Sequence, residues 1–185
     1  MRNTVVMIVL AILAGATWVA TWQGEDLGAP TDLGTGAEPL RVLTRGARLT
    51  GMDEQGRPTY RIFAERLDEI PGEERLQLTG VNVDYQPADE TPWLLSAASA
   101  KYARDGSQLD LLGNVQVRST PADGTQAVTI VTEQLLFSPD TSSAESDESV
   151  EIRVGGWQLS AVGLRTLLKE DTLELESQVH GTLLP

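Results

Sequence analysis

The sequence points to an all-β domain of stacked, twisted antiparallel strands, preceded by one N-terminal transmembrane helix. Three observations carry this. A charge-free apolar run lies near the start, apolar residues beyond it alternate with period two, and the alternation is organised by a repeat of about thirty residues.

Between Asn3 and Gln23 no residue is charged, and Thr4 to Trp22 is 19 residues. At a rise of 1.5 Å per residue this makes roughly 28 Å of helix, close to the hydrocarbon thickness of a bilayer. Trp18 and Trp22 lie one helical turn apart and suit the far interface. Arg2 precedes the run while Glu25 and Asp26 follow it, so the positive-inside rule places the N-terminus in the cytoplasm and the rest of the chain outside. Ala14-Gly15-Ala16 has the small residues of a signal-peptide cleavage site, but cleavage there strands the apolar Thr17 to Trp22 at the new terminus. Residues 1–22 are therefore expected to stay as an anchor. Residues 23–39, with four Gly and two Pro and almost no apolar content, are expected to form a flexible linker. Gly34-x-Gly36 within it lacks the strand-to-helix setting of a dinucleotide fingerprint. The folded domain is expected over 40–185.

In that domain Tyr60-x-Ile62-x-Ala64-x-x-Leu67 precedes Leu76-x-Leu78-x-Gly80. Trp93-x-Leu95-x-Ala97-x-x-Ala100 precedes Leu109-x-Leu111-x-Gly113, and Trp157-x-Leu159-x-Ala161-x-x-Leu164 precedes Leu173-x-Leu175-x-Ser177. A weaker copy runs from Val128-x-Ile130-x-Thr132-x-x-Leu135 to Val150-x-Ile152. Its insertion falls in the acidic, serine-rich stretch Ser138 to Ser149, which reads as a protruding solvated loop. Each unit is a pair of strands that cannot bury its own apolar face and must stack on the next. One face of the sheet is greasy and the other wet, and twist curls the greasy face inward.

The composition removes several functions. A net charge of −13, from 14 Lys+Arg against 27 Asp+Glu, opposes nucleic-acid binding. The absence of Cys removes disulfides, thiolate zinc sites and thiol nucleophiles, and a single His180 removes histidine clusters. No G-x-S-x-G, H-E-x-x-H or P-loop occurs, and no carboxylate stands at a ligand spacing from His180. Nothing marks two of the carboxylates as a glycosidase pair, and aromatic residues are too few for a sugar platform. A non-enzymatic protein without metal, cofactor or nucleic-acid partner is expected.

The anchor, Gly56-x-x-x-Tyr60-x-Ile62-x-Ala64, Trp93-x-Leu95-x-Ala97-x-x-Ala100-Lys101 and Leu109-x-Leu111-x-Gly113-Asn114-Val115-x-Val117 together resemble the LptC family of lipopolysaccharide export proteins. The resemblance covers nearly the whole chain, and the anchor separates it from the soluble members of the wider transport family. It implies a single-pass inner-membrane protein whose periplasmic domain is a twisted β-jellyroll with an apolar interior. Such a protein receives lipopolysaccharide from the inner-membrane ABC transporter complex and passes it to a soluble periplasmic bridge protein. The lipid-binding groove is then expected at Ile62, Leu78, Leu95, Leu111, Val115, Ile130, Ile152 and Leu159, taken as one alternating face. The transporter-docking region falls at Gly56 and Tyr60. Leu173, Leu175, Gln178 and Val179, in the strand from Thr172 to Leu184, form the edge offered to the bridge protein. Arg61, Arg66, Lys101 and Arg104 are candidates for lipid phosphates, although such residues more often sit on solvated strand faces. Two alternatives stand beside this reading. One is a tethered structural β-domain with a closed core that recruits partners through its edges; the other is a secreted carbohydrate-binding β-sandwich freed by signal cleavage.

Overall fold

The computed structural model describes residues 42–53, 55–69, 72–86, 91–119, 121, 126–168 and 172–183. The expected anchor and linker lie outside the described residues, among which no helix is long and apolar enough to cross a membrane.

Nine strands follow one another: β1 (Val42–Met52), β2 (Pro58–Glu69), β3 (Arg75–Tyr85), β4 (Trp93–Ala103), β5 (Leu109–Ser119), β6 (Val128–Ser138), β7 (Ser143–Val154), β8 (Trp157–Leu167) and β9 (Thr172–Leu183). They form a single antiparallel sheet in sequence order, so every connection is a hairpin. The β1–β2 turn shows the local chemistry that closes one. Asp53 Oδ1 accepts from the backbone N–H of Gln55 at 3.0 Å and of Arg57 at 2.8 Å, and Gly56 takes the left-handed conformation at φ 77°. These bonds to the ionised form, with the Arg57 guanidinium beside it, hold the Asp53 carboxyl below its ordinary range.

The x-x gap of the repeat is where the strands bend. Buried residues follow period two up to Ala64, Ala97, Thr132 and Ala161, then resume one step out of phase at Leu67, Ala100, Leu135 and Leu164. The register shifts at the same places, between Ser96 and Ser99, Leu112 and Val115, Thr132 and Leu136, and Ser160 and Val162. Left-handed residues line up across the sheet at the changes of phase: Gly46, Gly80, Gly113, Asn114, Gly163 and Gln178. At Gly80 (φ 62°) a Cβ would fall 2.6 Å from the Glu65 side chain of the neighbouring strand, so the acidic chain lies over the bare backbone. This is a row of bends, with β-bulges from β4 onward, and each keeps the apolar residues inside through a change of direction.

The bends fold the sheet over itself. In a flat sheet, opposite ends of 11-residue strands lie about 35 Å apart. Here Tyr60, at the start of β2, places its hydroxyl 3.0 Å from that of Tyr102, at the far end of β4. Tyr85, at the end of β3, stacks edge-on against Phe137 of β6 with ring centroids 5.1 Å apart and donates to Ser142 Oγ beyond it. Opposite strand ends therefore meet across one continuous apolar core.

Two parts of the sequence reading change. β1 was not among the expected strands: its first five residues are exposed and offer no alternation. The stretch Ser138 to Ser149 is no protruding loop but mostly the first half of β7, where Ala144 and Ser146 point inward and Glu145 and Asp147 outward. Small residues are required there because Tyr85 and Phe137 fill the space opposite, and Thr132 Oγ1 meets Ser146 Oγ at 3.1 Å.

If the left-handed backbone at Gly80, rather than contact with Glu65, makes the bend obligatory, Gly80→Ala costs about 1–2 kcal/mol. Equilibrium urea unfolding should then show exposed Glu65→Ala as nearly neutral and the double variant retaining most of the Gly80→Ala loss. Full recovery in the double variant would place the constraint in the side-chain contact instead.

Candidate functional site

Alternation and the bends bring the eight expected groove residues to the same inner face. Ile62, Leu78, Leu95, Leu111, Val115, Ile130 and Ile152 are buried, and Leu159 is half-buried against the core. They come from β2 through β8, so the apolar lining runs across the sheet without a break. Their sequence neighbours Gln77 and Asp110 face the opposite way and pair with Lys101 of β4.

The interior contains few polar groups, and nearly all are partnered. Tyr60 lies flat against Gly51, where a Cβ would be 2.0 Å from its ring, and it reaches the Gly106 carbonyl at 3.4 Å as well as Tyr102. Burial first, and then the hydrogen bond with Tyr102, push the Tyr60 phenol well above its ordinary value. Among the described residues the one buried side-chain polar atom without a partner is Nε1 of Trp93.

Where the starts of β4 and β6 and the ends of β5 and β7 face the end of β8 and the start of β9, the interior opens into a cavity of about 430 Å³. It is lined by Trp93, Ser119, Val128, Ile130, Val154, Thr166 and Leu173 among others. That volume lies within the range of small-ligand sites, and the lining is mostly apolar. A depression on the outer face, about 480 Å³ between Arg75, Asp110, Glu145, Asp147, Glu148 and Arg165, is lined mostly by polar side chains. Arg165 ties three strands there. It donates to Glu176 Oε1 of β9 at 2.8 Å and to Glu145 of β7, and these carboxylates raise its pKa further. No cluster of metal-ligating side chains occurs among the described residues.

The remaining candidates separate. Gly56 stands exposed in the β1–β2 turn, whereas Tyr60 is buried and its hydroxyl is engaged inside. Arg104 is ion-paired with Glu69 at 2.7 Å, and Arg61, Arg66 and Lys101 are spread over the outer face, so the four cations form no single phosphate site. β9 is a terminal strand, paired with β8 alone among the described residues. Leu173 and Leu175 are half-buried against the core, while Gln178 and Val179 are exposed. Gln178 is left-handed at φ 51°, the bulged residue of β9, and its carbonyl lies 2.7 Å from His180 Nδ1. Sequence reading missed the aromatic wall of Tyr85 and Phe137. The alternation Val81-x-Val83-x-Tyr85, taken past Gly80, contained the signal for half of it.

The family model described as lipopolysaccharide-assembly, LptC-related matches residues 7–184. No curated protein matches the sequence. Among solved structures, similarity is found to LptH from Pseudomonas aeruginosa, the LptA-homologous periplasmic component of its lipopolysaccharide transport device. The TM-score is 0.49 at 7% identity, with 80% of this chain and 97% of that chain covered.

The Tyr60 phenol gives a pH-dependent test of the cross-interior contact. Because the folded state holds this proton more tightly than the unfolded chain, its contribution is complete below the unfolded value of 10.0 and declines as pH rises above it. Thermal melts from about pH 8 to pH 11 should show a steeper alkaline loss of stability in the wild type than in Tyr60→Phe. Parallel curves would mean that the hydroxyl is not held inside.

Proposed function

The chain belongs to the lipopolysaccharide-assembly, LptC-related family, and from that premise we propose that it carries the acyl chains of lipopolysaccharide across the periplasm within its curled sheet. It takes them from the ABC transporter complex in the inner membrane, to which residues 1–22 anchor it, and delivers them to the soluble bridge protein. The observation that supports this reading best is the unbroken apolar inner face, running from β2 to β8 in a sheet whose terminal strands, among the described residues, leave both outer edges unpaired.

Exposing one methylene to water costs about 0.8 kcal/mol, so an acyl chain of about fourteen carbons left in water costs on the order of 10 kcal/mol. A multi-chain lipid needs a shield throughout its passage, and a lining of aliphatic side chains supplies one. Apolar contact is non-directional, so the cargo slides without a deep trap, and the transporter supplies the free energy of movement. The core is closely packed, so the walls joined at Tyr60–Tyr102 and Tyr85–Ser142 part to admit the chains. At the end that docks the transporter, the exposed turn around Gly56 makes the contact, and Tyr60 shapes it from below. At the other edge, β9 receives a strand of the bridge protein, extending one lining into the next through main-chain bonds.

A photoreactive residue at Leu78 or Leu111 should label lipopolysaccharide in cells in an ATP-dependent way, while Gln77 and Asp110 should not. Equal labelling at all four positions would refute the carrying face, and no labelling at any would favour a closed structural domain.

The edge has its own test. Proline at Gln178 would confound it, because the left-handed φ there excludes proline whether or not the edge is used. Val179, 53% exposed, accepts a charge with little effect on the core. Val179→Lys should weaken capture of the bridge protein severalfold and leave the thermal melt unchanged. Undiminished capture would remove β9 from the interface.

A further inference from the structure

The chain carries charge of opposite sense towards the two ends of the sheet. From Val42 to Arg66 there are five arginines against three carboxylates, in a protein whose net charge is −13, whereas from Val128 to Leu183 ten carboxylates face three Lys+Arg. Four of the five arginines share one surface. Arg45 stands directly opposite Arg66, Arg48 opposite Phe63 and Arg61 opposite Thr50, all four exposed on the outer face of β1 and β2. Like charges facing each other across a strand pair are unfavourable unless something answers them. Glu65 lies over Gly80 of β3, Asp68 stands opposite Leu43 and Asp84 opposite Arg61, yet among the described residues none of these carboxylates is ion-paired with the four arginines. Arg48 lies instead 4.8 Å from the centre of the half-buried Phe63 ring. Leu43, 50% exposed, borders the stripe on the same face. Arg61 and Arg66 are about 16 Å apart along the strand, so the stripe is too long for one phosphate and suits a surface of many.

We propose that the outer face of β1 and β2 docks on the anionic phospholipid headgroups of the membrane in which residues 1–22 are anchored. The proposal rests on that anchor reading. Nineteen residues, 23–41, separate the anchor from β1, and a flexible coil of that length has a root-mean-square span of about 24 Å. The tether thus keeps the stripe within reach of the headgroups, where attraction extends over a screening length of only about 8 Å. Phe63 and Leu43 suit the same depth, because a cation beside an apolar group is favoured at a membrane interface. The net charge of −13 repels the rest of the domain from an anionic surface, so docking is specific for this face. It holds β1 against the membrane and leaves β9 turned to the periplasm.

The test uses the full-length chain in nanodiscs of phosphatidylglycerol or of phosphatidylcholine, with an energy-transfer acceptor on the lipid headgroups. The chain has no cysteine, so one donor dye can be placed by Thr50→Cys, beside the stripe, or by Glu174→Cys, on exposed β9. Transfer from position 50 should be higher in phosphatidylglycerol than in phosphatidylcholine, and transfer from position 174 should not rise. The gain should disappear as salt goes from about 0.05 M to about 0.5 M, which shortens the screening length about threefold. Arg45→Gln/Arg48→Gln/Arg66→Gln should lower the ratio of docked to undocked domain about tenfold or more, since each arginine near an anionic surface contributes about fivefold. Its melt should stay nearly unchanged, the lost Arg48–Phe63 contact offsetting the relieved Arg45–Arg66 repulsion. If the triple variant does not accumulate, the lipid and salt dependence of the wild-type stripe still decides. Equal transfer from position 50 in the two lipids would overturn the docking, leave the anchor standing and assign the stripe to an acidic protein surface. Loss of the gain on adding inorganic phosphate at constant ionic strength would assign it to discrete phosphates and refute the proposal as well. Failure of the full-length chain to enter nanodiscs would overturn the anchor and the docking together.

Discussion

A strand with strict two-residue alternation can bury one face only while it runs straight, and strands of 11 or 12 residues must bend to enclose a core between the ends of their own sheet. The mid-strand slip meets both conditions. Where Ala64 gives way to Leu67, Ala97 to Ala100 and Ala161 to Leu164, the strand turns and the apolar positions return to the inside, and from β4 onward an extra residue in the neighbouring β5, β7 or β9 takes up the difference. The contacts that define the interior depend on that row of bends. Without it Tyr60 could not reach Tyr102, nor Tyr85 reach Ser142, and the cavity beside Trp93 would have no opposite wall.

The same row explains what could be read in advance. The spacing x-x, repeated at four places in the sequence, records the change of phase at the bend, so the strand pairs, the inner face and the inward placement of all eight positions follow from local pattern. The contacts across the interior do not: Tyr85 and Ser142 are separated by 57 residues, and a period of two has no reach over that distance. β1 escapes because an exposed edge strand need not alternate, and its Thr44-Arg45-Gly46 resembles a linker. The Ser138 to Ser149 stretch misleads for a different reason. Serine and acidic residues are common in loops, but here the small side chains face two large aromatic rings, a tertiary fact that composition does not carry.

Physically the interior is an ordinary packed core. Its aliphatic residues are packed closely enough to stabilise the domain, and they hold little that ties the walls together apart from a few hydroxyl contacts between strand ends. Main-chain bonds run within the sheet from strand to strand, whereas the folded-over walls are joined largely by apolar contact. Exchanging side-chain contacts for acyl contacts therefore leaves the hydrogen-bonded ladder intact, and apolar surface remains covered in both states. On the outer face Arg165 bridges β7, β8 and β9 and ties those strands together.

The central claim is that acyl chains enter between these walls and part them. The chain has no cysteine, so a pair can be introduced for spin labels at exposed Gln86 and Asp140, which flank the Tyr85–Ser142 contact. Pulsed electron–electron distance measurement on the full-length protein in nanodiscs should show the separation lengthen when lipopolysaccharide binds and stay constant with the deacylated saccharide. Bound lipopolysaccharide with an unchanged distance would contradict the account.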